Sequence, residues 1–499
     1  MIRRLILFVL AGAVAITVIA AGVLYAFLSN DGIRVALEQQ ATAWFGQPVK
    51  IASAGAQFWP RPGVTLRQVT VGEPARLILA EVSVSTELSA LLRRRIADGA
   101  IRIRNTRLEL PLPFEIPTSG GEEAASEPSS FAIESINAIG LDNVRIVSRG
   151  RELVLSMDSS FDGARLNIRR ATVDSGKTSI RAEGVVTLEP RVDAQLKAAA
   201  NRIDVDELLA LADAFGPAAP PPGSRGKSGP PPRIAARISA EAASAGGVEV
   251  RQFASDVQVD GDAVAMSPLT FQLFGGRYQG SLSARLGNTL SATLRSRLLD
   301  LDVARLAEFG NVKDSVTGRL SGAGTFSGSG RDFGAVLANA RGNGTAKITN
   351  GTIRRLALVR TIVVFFGKPA ADAPSASDAF DSLDLQFALQ NQLFRAHALS
   401  LHSRDVDLVG SGSLATATKA LTGKFDLSLS EALSAQAGND LQRFTREGNR
   451  VVLPANLGGT LDNPRVTIDA AAAAKRGLRN EVEQRLKGLL DRFGTSRQP

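Results

Sequence analysis

The chain of 499 residues contains no cysteine. That excludes a disulfide framework, a cysteine-ligated zinc site and a cysteine nucleophile. Histidine is nearly absent as well, with only His397 and His402. The two fall five apart in a strand-like segment. In a flat strand an odd offset puts side chains on opposite faces, so the pair forms no shared site unless the backbone bends between them. Aromatic residues make up 5% of the chain, too few to supply the stacking platforms of a nucleic-acid surface. Glycine clusters such as Gly322-Ala-Gly-Thr and Gly410-Ser-Gly-Ser complete neither G-x-G-x-x-G nor a Walker loop. No G-x-S-x-G elbow is present, and the Asp residues lack the spacing of a calcium loop. The expectation is a protein that is not an enzyme, with no catalytic, cofactor-binding or metal-binding residues.

What is present is a distributed charge and one long apolar run. Lys and Arg number 58 against 49 Asp and Glu, a net charge of +9. The excess is spread along the chain, which suits solvated strand faces better than a nucleic-acid patch. After Met1-Ile2-Arg3-Arg4, the segment Leu5 to Leu28 runs 24 residues without a charge. About 20 apolar residues cover the hydrocarbon core of a bilayer, so this stretch can span it. Leu5, Phe8, Val14, Ile19, Leu24 and Leu28 are the expected anchor residues. Arg3 and Arg4 precede the span and the next cation is Arg34, so the positive-inside rule leaves the N-terminus in the cytoplasm and exports the bulk. A cleaved signal peptide is the competing reading, but its apolar region is usually about 7–15 residues and ends in a small-residue site. Leu356 to Gly367 is too short for a second span and contains Arg360.

Beyond the anchor, Ile33, Leu37, Ala41 and Trp44 fall at helical spacing, and Gly46 ends that helix. The pattern then changes to period two. Ile101-Arg-Ile-Arg, Leu383-Asp-Leu-Gln-Phe387 and Phe425-Asp-Leu-Ser-Leu429 alternate apolar and polar, as strands with one wet face do. Asn343-Gly344 and Asn350-Gly351 are the dipeptides of short hairpins. The expected fold class is mainly β with a few helices: an extended, curled antiparallel sheet of repeated strand units with an apolar inner face. Three stretches, beginning at Gly184, Gly280 and Gly412, read as strand, turn, strand, and then an Asp at a short helix or turn, where it can cap free N–H groups. Thr118–Ser130 and Gly216–Pro232 read as polar linkers, the second disordered. The expected organisation is 1–28 cytoplasmic start and anchor, 29–117 N-terminal region, 118–130 linker, 131–215 strand repeats, 216–232 linker, 233–469 C-terminal β region, and 470–499 basic helix and tail. In that tail Leu478, Val482, Leu486, Leu489 and Phe493 share one helical face among Arg476, Arg479, Arg485, Lys487 and Arg492. Such a helix either lies on an anionic membrane or partner, or packs on the sheet with its charges in water.

Two blocks of the chain resemble the AsmA family of envelope proteins. The first runs from the anchor through Gly46-Gln-Pro-Val49, Val64-Thr-Leu-Arg-Gln-Val-Thr-Val71 and Leu88-Ser-Ala-Leu-Leu-Arg-Arg-Arg-Ile96 to Leu108-Glu-Leu110. The second contains Gly344-Thr-Ala-Lys-Ile-Thr-Asn-Gly351, Phe380-Asp-Ser-Leu383 and Pro454-Ala-Asn-Leu-Gly-Gly-Thr-Leu-Asp-Asn-Pro464. Asn391-Gln392 stands where that pattern expects Asn-Gly, and 120–330 matches only as generic strand repeats. The resemblance implies a single-pass bacterial inner-membrane protein with its bulk in the periplasm. It further implies a β-groove that binds or transfers phospholipid in outer-membrane assembly and lipid homeostasis. Leu383, Leu385, Phe387 and Leu389 are the expected groove residues. The alternative is a scaffold or assembly factor regulating outer-membrane protein or lipopolysaccharide biogenesis. The implied partners are the inner membrane, phospholipid acyl chains and envelope proteins, with no nucleic acid. Periplasmic crossing, on the order of 200 Å, would take about 40 strands at ~4.8 Å each, more than this chain holds, so one copy is not expected to bridge alone.

Overall fold

The computed structural model describes residues 34–112, 132–215, 230–353, 379–436 and 445–494, apart from short stretches within these ranges. The expected anchor, the Leu356–Gly367 segment and nearly all of both polar linkers lie outside the described residues. The chain divides into two compact units, residues 1–261 and 262–499. Each is mainly β, as its alternating sequence predicts.

In the first unit, residues 34–45 are helical where described, and Gly46 follows with φ +63°. A left-handed residue there terminates a helix, and glycine adopts it without steric cost. Thr42 and Glu38 accept the backbone N–H groups of Val49 and Ile51, fastening this helix to the first strand. The strands longer than two residues are β1 (Val49–Gln57), β2 (Gly63–Val71), β3 (Leu77–Ser85), β4 (Gly99–Leu110), β5 (Ile136–Ser148), β6 (Arg151–Asp162), β7 (Arg165–Ser175), β8 (Thr178–Thr187), β9 (Asp193–Asp204), β10 (Arg233–Ala245) and β11 (Val248–Asp260).

Each strand pairs with the next in chain order. The expectation of a purely antiparallel sheet fails at two steps. β4 and β5 are parallel, with Ile101 opposite Ile139, and so are β9 and β10, with Leu196 opposite Ala236. A parallel step needs a return of a dozen or more residues, and the two polar segments fall in those two returns. The strands on either side of each segment are hydrogen-bonded neighbours, so one sheet continues across both. The second return begins with α1 (Val205–Phe215), whose first turn is held by Asp204 accepting the Glu207 N–H at 3.1 Å.

The second unit contains β12 (Ala263–Leu273), β13 (Gly276–Leu286), β14 (Leu290–Asp302), β15 (Val316–Gly330), β16 (Arg341–Ile353), β17 (Ala379–Gln390), β18 (Leu393–His402), β19 (Val406–Ala415), β20 (Leu421–Leu429), β21 (Arg450–Thr460) and β22 (Asn463–Ile468). These pair sequentially and antiparallel throughout. Among the described residues four helices accompany them: α2 (Val303–Phe309), α3 (Phe333–Ala338), α4 (Glu431–Gln436) and α5 (Ala470–Gly494).

Aspartates cap three of these helices. Asp302 accepts from Ala304 and Arg305, Asp332 from Ala335, and Asp469 from Ala472. The cap expected in the third sequence repeat is different. Asp426 lies inside β20, and Ser430 supplies the cap of α4 by accepting from Leu433.

Two hairpin expectations are also overturned. Asn343-Gly344 and Asn350-Gly351 both lie within the single strand β16. The reversal expected at Asn391-Gln392 does occur, with φ of +51° and +59°, the paired positive angles of a type I′ turn.

Neither sheet has a described pairing between its first and last strands. Bends are built in: Asn143, Gly184, Asp300 and Gly318 have positive φ at shifts in register. Such bulges bend a strand and increase its twist.

Candidate functional site

Alternation along β17 puts Leu383, Leu385, Phe387 and Leu389 on one face, and the register shows what shares it. Their partners are Ile348, Ala346, Gly344 and Gly342 on β16, and Leu401, Leu399, Ala396 and Phe394 on β18. The row through Leu383 continues in register through Leu401, Leu408, Leu427 and Leu453. In the other direction the row through Leu389 and Gly342 continues through Phe326, Leu294, Leu282 and Met266. The four expected groove residues therefore belong to one apolar face that runs across the second unit.

This face is not uniformly covered. At one end Leu408, Leu427 and Leu453 are 5%, 0% and 0% exposed, in a core joined by Leu433 of α4. From β12 to β17, Met266, Leu282, Leu294, Phe326, Ile348 and all four groove residues are only half-buried. The first unit shows the same contrast. Val82, Ile103 and Leu141 are buried in a core closed by Ala41 and Phe45 of the N-terminal helix, while Ala182, Ala198 and Ile238 on the same face are half-buried.

Aromatic rings and glycines structure the half-covered stretch. A Cβ on Gly342 would lie 2.7 Å from the Phe326 ring, and one on Gly344 would lie 2.8 Å from the Phe387 ring. Gly410 and Gly423 stand in the same relation to Phe425, at 2.5 and 2.6 Å. The rings lie over bare backbone, replacing apolar contact that glycine cannot make. Phe387 also stacks on Phe394 with centroids 4.6 Å apart, and Phe271 on Tyr278 at 4.3 Å. Burial raises the Tyr278 pKa, partly opposed by its hydrogen bond with Ser296 at 3.1 Å. Sequence reading missed this arrangement. Its signal was available, since Gly342-x-Gly344 and Gly410-x-Gly412 share the parity of the apolar residues on their strands.

The opposite face is charged and paired across strands. Lys347 lies opposite Asp384 at 3.1 Å, and Arg237 of the first unit opposite Asp256 at 2.8 Å. The Arg237 guanidinium holds the Asp256 carboxyl below its usual value. Two recesses, about 600 and 450 Å³, lie on this polar face of the second unit. On β16 and β17 the larger is lined by Thr345, Lys347, Asp384 and Gln386 around the backbone of Ala346 and Leu385.

The histidine expectation is corrected here. β18 bulges between Ala396 and Leu399, so parity fails between the two residues. His397 lines the larger recess beside Asp384, and His402 pairs in register with Ser382. His402 hydrogen-bonds Asp407, whose other oxygen takes the Arg450 guanidinium at 2.6 Å. Burial works against the Asp407 anion, but the Arg450 and His402 hydrogen bonds outweigh it and the pKa is lowered.

Among the described residues no group of three acidic or histidine side chains is placed to hold a metal ion, and no helix is long and apolar enough to cross a membrane. Comparison of the chain with protein families, with curated proteins and with solved structures gave no match.

Proposed function

We propose that the protein is an AsmA-like, inner-membrane-anchored periplasmic protein that binds phospholipid acyl chains on the half-covered apolar face of its second unit. One observation carries this reading. From β12 to β17 the register keeps leucine, phenylalanine and glycine on one face, and Met266, Leu282, Leu294, Phe326, Leu385, Phe387 and Leu389 there are half-buried, while Leu269 and Tyr278 are buried and Ile348 and Leu383 pack against the core at the far end. Apolar surface left in that condition is unfavourable in water by roughly 25 cal/mol per Å², and acyl chains are a fluid partner that adapts to ridged leucine and phenylalanine surface. The charged opposite face keeps such a sheet soluble while its other face holds lipid. Export of the bulk of the chain follows from the apolar run at Leu5–Leu28 and the two arginines before it. The eleven described strands longer than two residues in each unit, at ~4.8 Å apiece, extend over roughly 50 Å. Even summed, the two fall short of a periplasmic crossing, so the proposed role is local lipid binding or one leg of a relay.

The alternation supplies the test. A photo-crosslinking amino acid placed in turn at positions 384, 385, 386 and 387 of the full chain in cells samples both faces of one strand. Phospholipid adducts are expected at 385 and 387 and not at 384 or 386. Adducts at none of the four positions, or equally at all, would refute lipid binding on this face. Protein adducts at 385 and 387 in place of lipid would favour a scaffold that docks envelope proteins.

A further inference from the structure

α5 is mounted the wrong way round for a helix that packs on its own sheet. With about 3.6 residues per turn, an amphipathic helix at a sheet edge normally buries its leucine stripe. Here the docked side is the small one. Ala473 and Gly477 are buried, and Arg476 reaches back to β20, where it forms two 2.9 Å hydrogen bonds with Asp426 and lies 3.3 Å from Glu447. The cap at Asp469 and the Asp469 N–H bond to the Pro454 carbonyl hold the start of the helix against β21. Leu478, Val482 and Leu486 lie on the far side at four-residue spacing and are 62%, 57% and 53% exposed. They form a continuous apolar stripe about 12 Å long that faces away from the surface holding the helix.

The charge around that stripe identifies what it meets. On the helical wheel Arg479 and Arg485 flank it on either side, and both are strongly exposed. Their carboxylate partners, Glu483 and Glu481, lie one step further round. These exposed i,i+4 pairs are weak, so a headgroup phosphate can replace the carboxylate. From Ala470 to Gly494 there are six cations (Lys475, Arg476, Arg479, Arg485, Lys487, Arg492) and three carboxylates (Glu481, Glu483, Asp491), a net charge of +3. An apolar stripe bordered by arginines fits the boundary between acyl chains and anionic headgroups. A protein groove would require the arginines to meet matching carboxylates.

We propose that α5 is an interfacial helix that inserts its Leu478–Val482–Leu486 stripe into an anionic phospholipid surface, with Arg479 and Arg485 on the headgroups. This gives the chain a membrane contact at its C-terminal end, separate from the expected N-terminal anchor and independent of whether lipid binds the sheet.

The test uses the full chain in nanodiscs of phosphatidylcholine, mixed with protein-free vesicles of phosphatidylcholine alone or with phosphatidylglycerol added. Vesicle flotation reads capture. Capture is expected on the anionic vesicles, weakening as salt is raised. It should fall to the protein-free background in a Leu478→Ser, Val482→Ser, Leu486→Ser variant. Arg479→Gln with Arg485→Gln keeps good helix formers and should weaken capture on anionic vesicles, so the test holds even if the serine variant loses the helix. Equal capture of neutral and anionic vesicles, or capture unchanged in both variants, overturns the proposal. Loss of self-association in the serine variant with capture unchanged also overturns it, and assigns the stripe to a second copy of the chain. Leu385→Asp separates the two proposals: it should abolish lipid adducts on the sheet and leave vesicle capture intact.

Discussion

Single residues carry more of this fold's specificity than their types suggest. Gln392 occupies a left-handed position, φ +59°, in the β17–β18 turn. Glycine adopts that conformation freely and a residue with a Cβ does not. The Thr416 hydrogen bonds at this turn go to the Gln392 backbone carbonyl, so the side chain is dispensable. Gln392→Gly is therefore expected to stabilise the protein by about 0.5–1 kcal/mol, read as a higher denaturant midpoint at unchanged slope. The reverse holds at Gly410, where a Cβ would sit 2.2 Å from the Lys424 carbonyl and 2.5 Å from the Phe425 ring. Gly410→Ala should cost about 1–3 kcal/mol, measured by the same titration.

The Asp407 cluster gives a pH dependence with a defined sign. Its carboxyl pKa is depressed in the folded state by Arg450 and His402 against the cost of burial. The stability it contributes is thus present above the unfolded carboxylate value, near 3.8, and is lost as pH falls through the lower folded value. Asp407→Asn should destabilise by about 1–2 kcal/mol at neutral pH, and the gap to the parent should close on acidification. A gap that persists unchanged at acid pH would assign Asp407 a packing role only.

At the scale of elements, the outcomes turn on what pairs with what. Period-two alternation identified the strands around Ile101, Leu383 and Phe425, because a half-wet strand must alternate. It did not identify the polar segments at 118–130 and 216–232 as lying in the returns of parallel steps. Nothing in a loop's composition reports the direction of the strand beyond it. The Asn-Gly dipeptides misled for a related reason. Gly344 and Gly351 are selected by the Phe387 and Phe380 rings that lie over them, a contact made by a neighbouring strand.

α5 docks through its first two turns, with Asp469 at its start and Arg476 paired to Asp426 and Glu447. The pair is partly exposed, so its contribution to global stability is small. Arg476→Gln should leave the global midpoint within about 1 kcal/mol of the parent. It should also speed amide hydrogen exchange across 470–486. Unchanged exchange there would mean that the helix is held by other contacts.

For the molecule as a whole, pairing in chain order makes stability a sum of neighbouring contacts rather than one cooperative core. Both tryptophans, Trp44 and Trp59, belong to the first unit. Unfolding followed by tryptophan fluorescence reports that unit, whereas far-UV circular dichroism reports all strands. The two urea transitions are expected to differ in midpoint. Superimposable curves with one slope would show that the units unfold together.

By itself the sequence determined the class of this protein: no thiol chemistry, a long uncharged N-terminal run, strands with one apolar face and a basic amphipathic tail. Those properties are set by residue types and their spacing along a single element. Only the tertiary structure decided that the strands pair in chain order with two parallel steps, that the apolar face is filled at one end and half-covered along β12–β17, and that α5 turns its leucines outward. Each of these depends on which residues from distant segments come into register, and spacing within one segment carries no record of its partner.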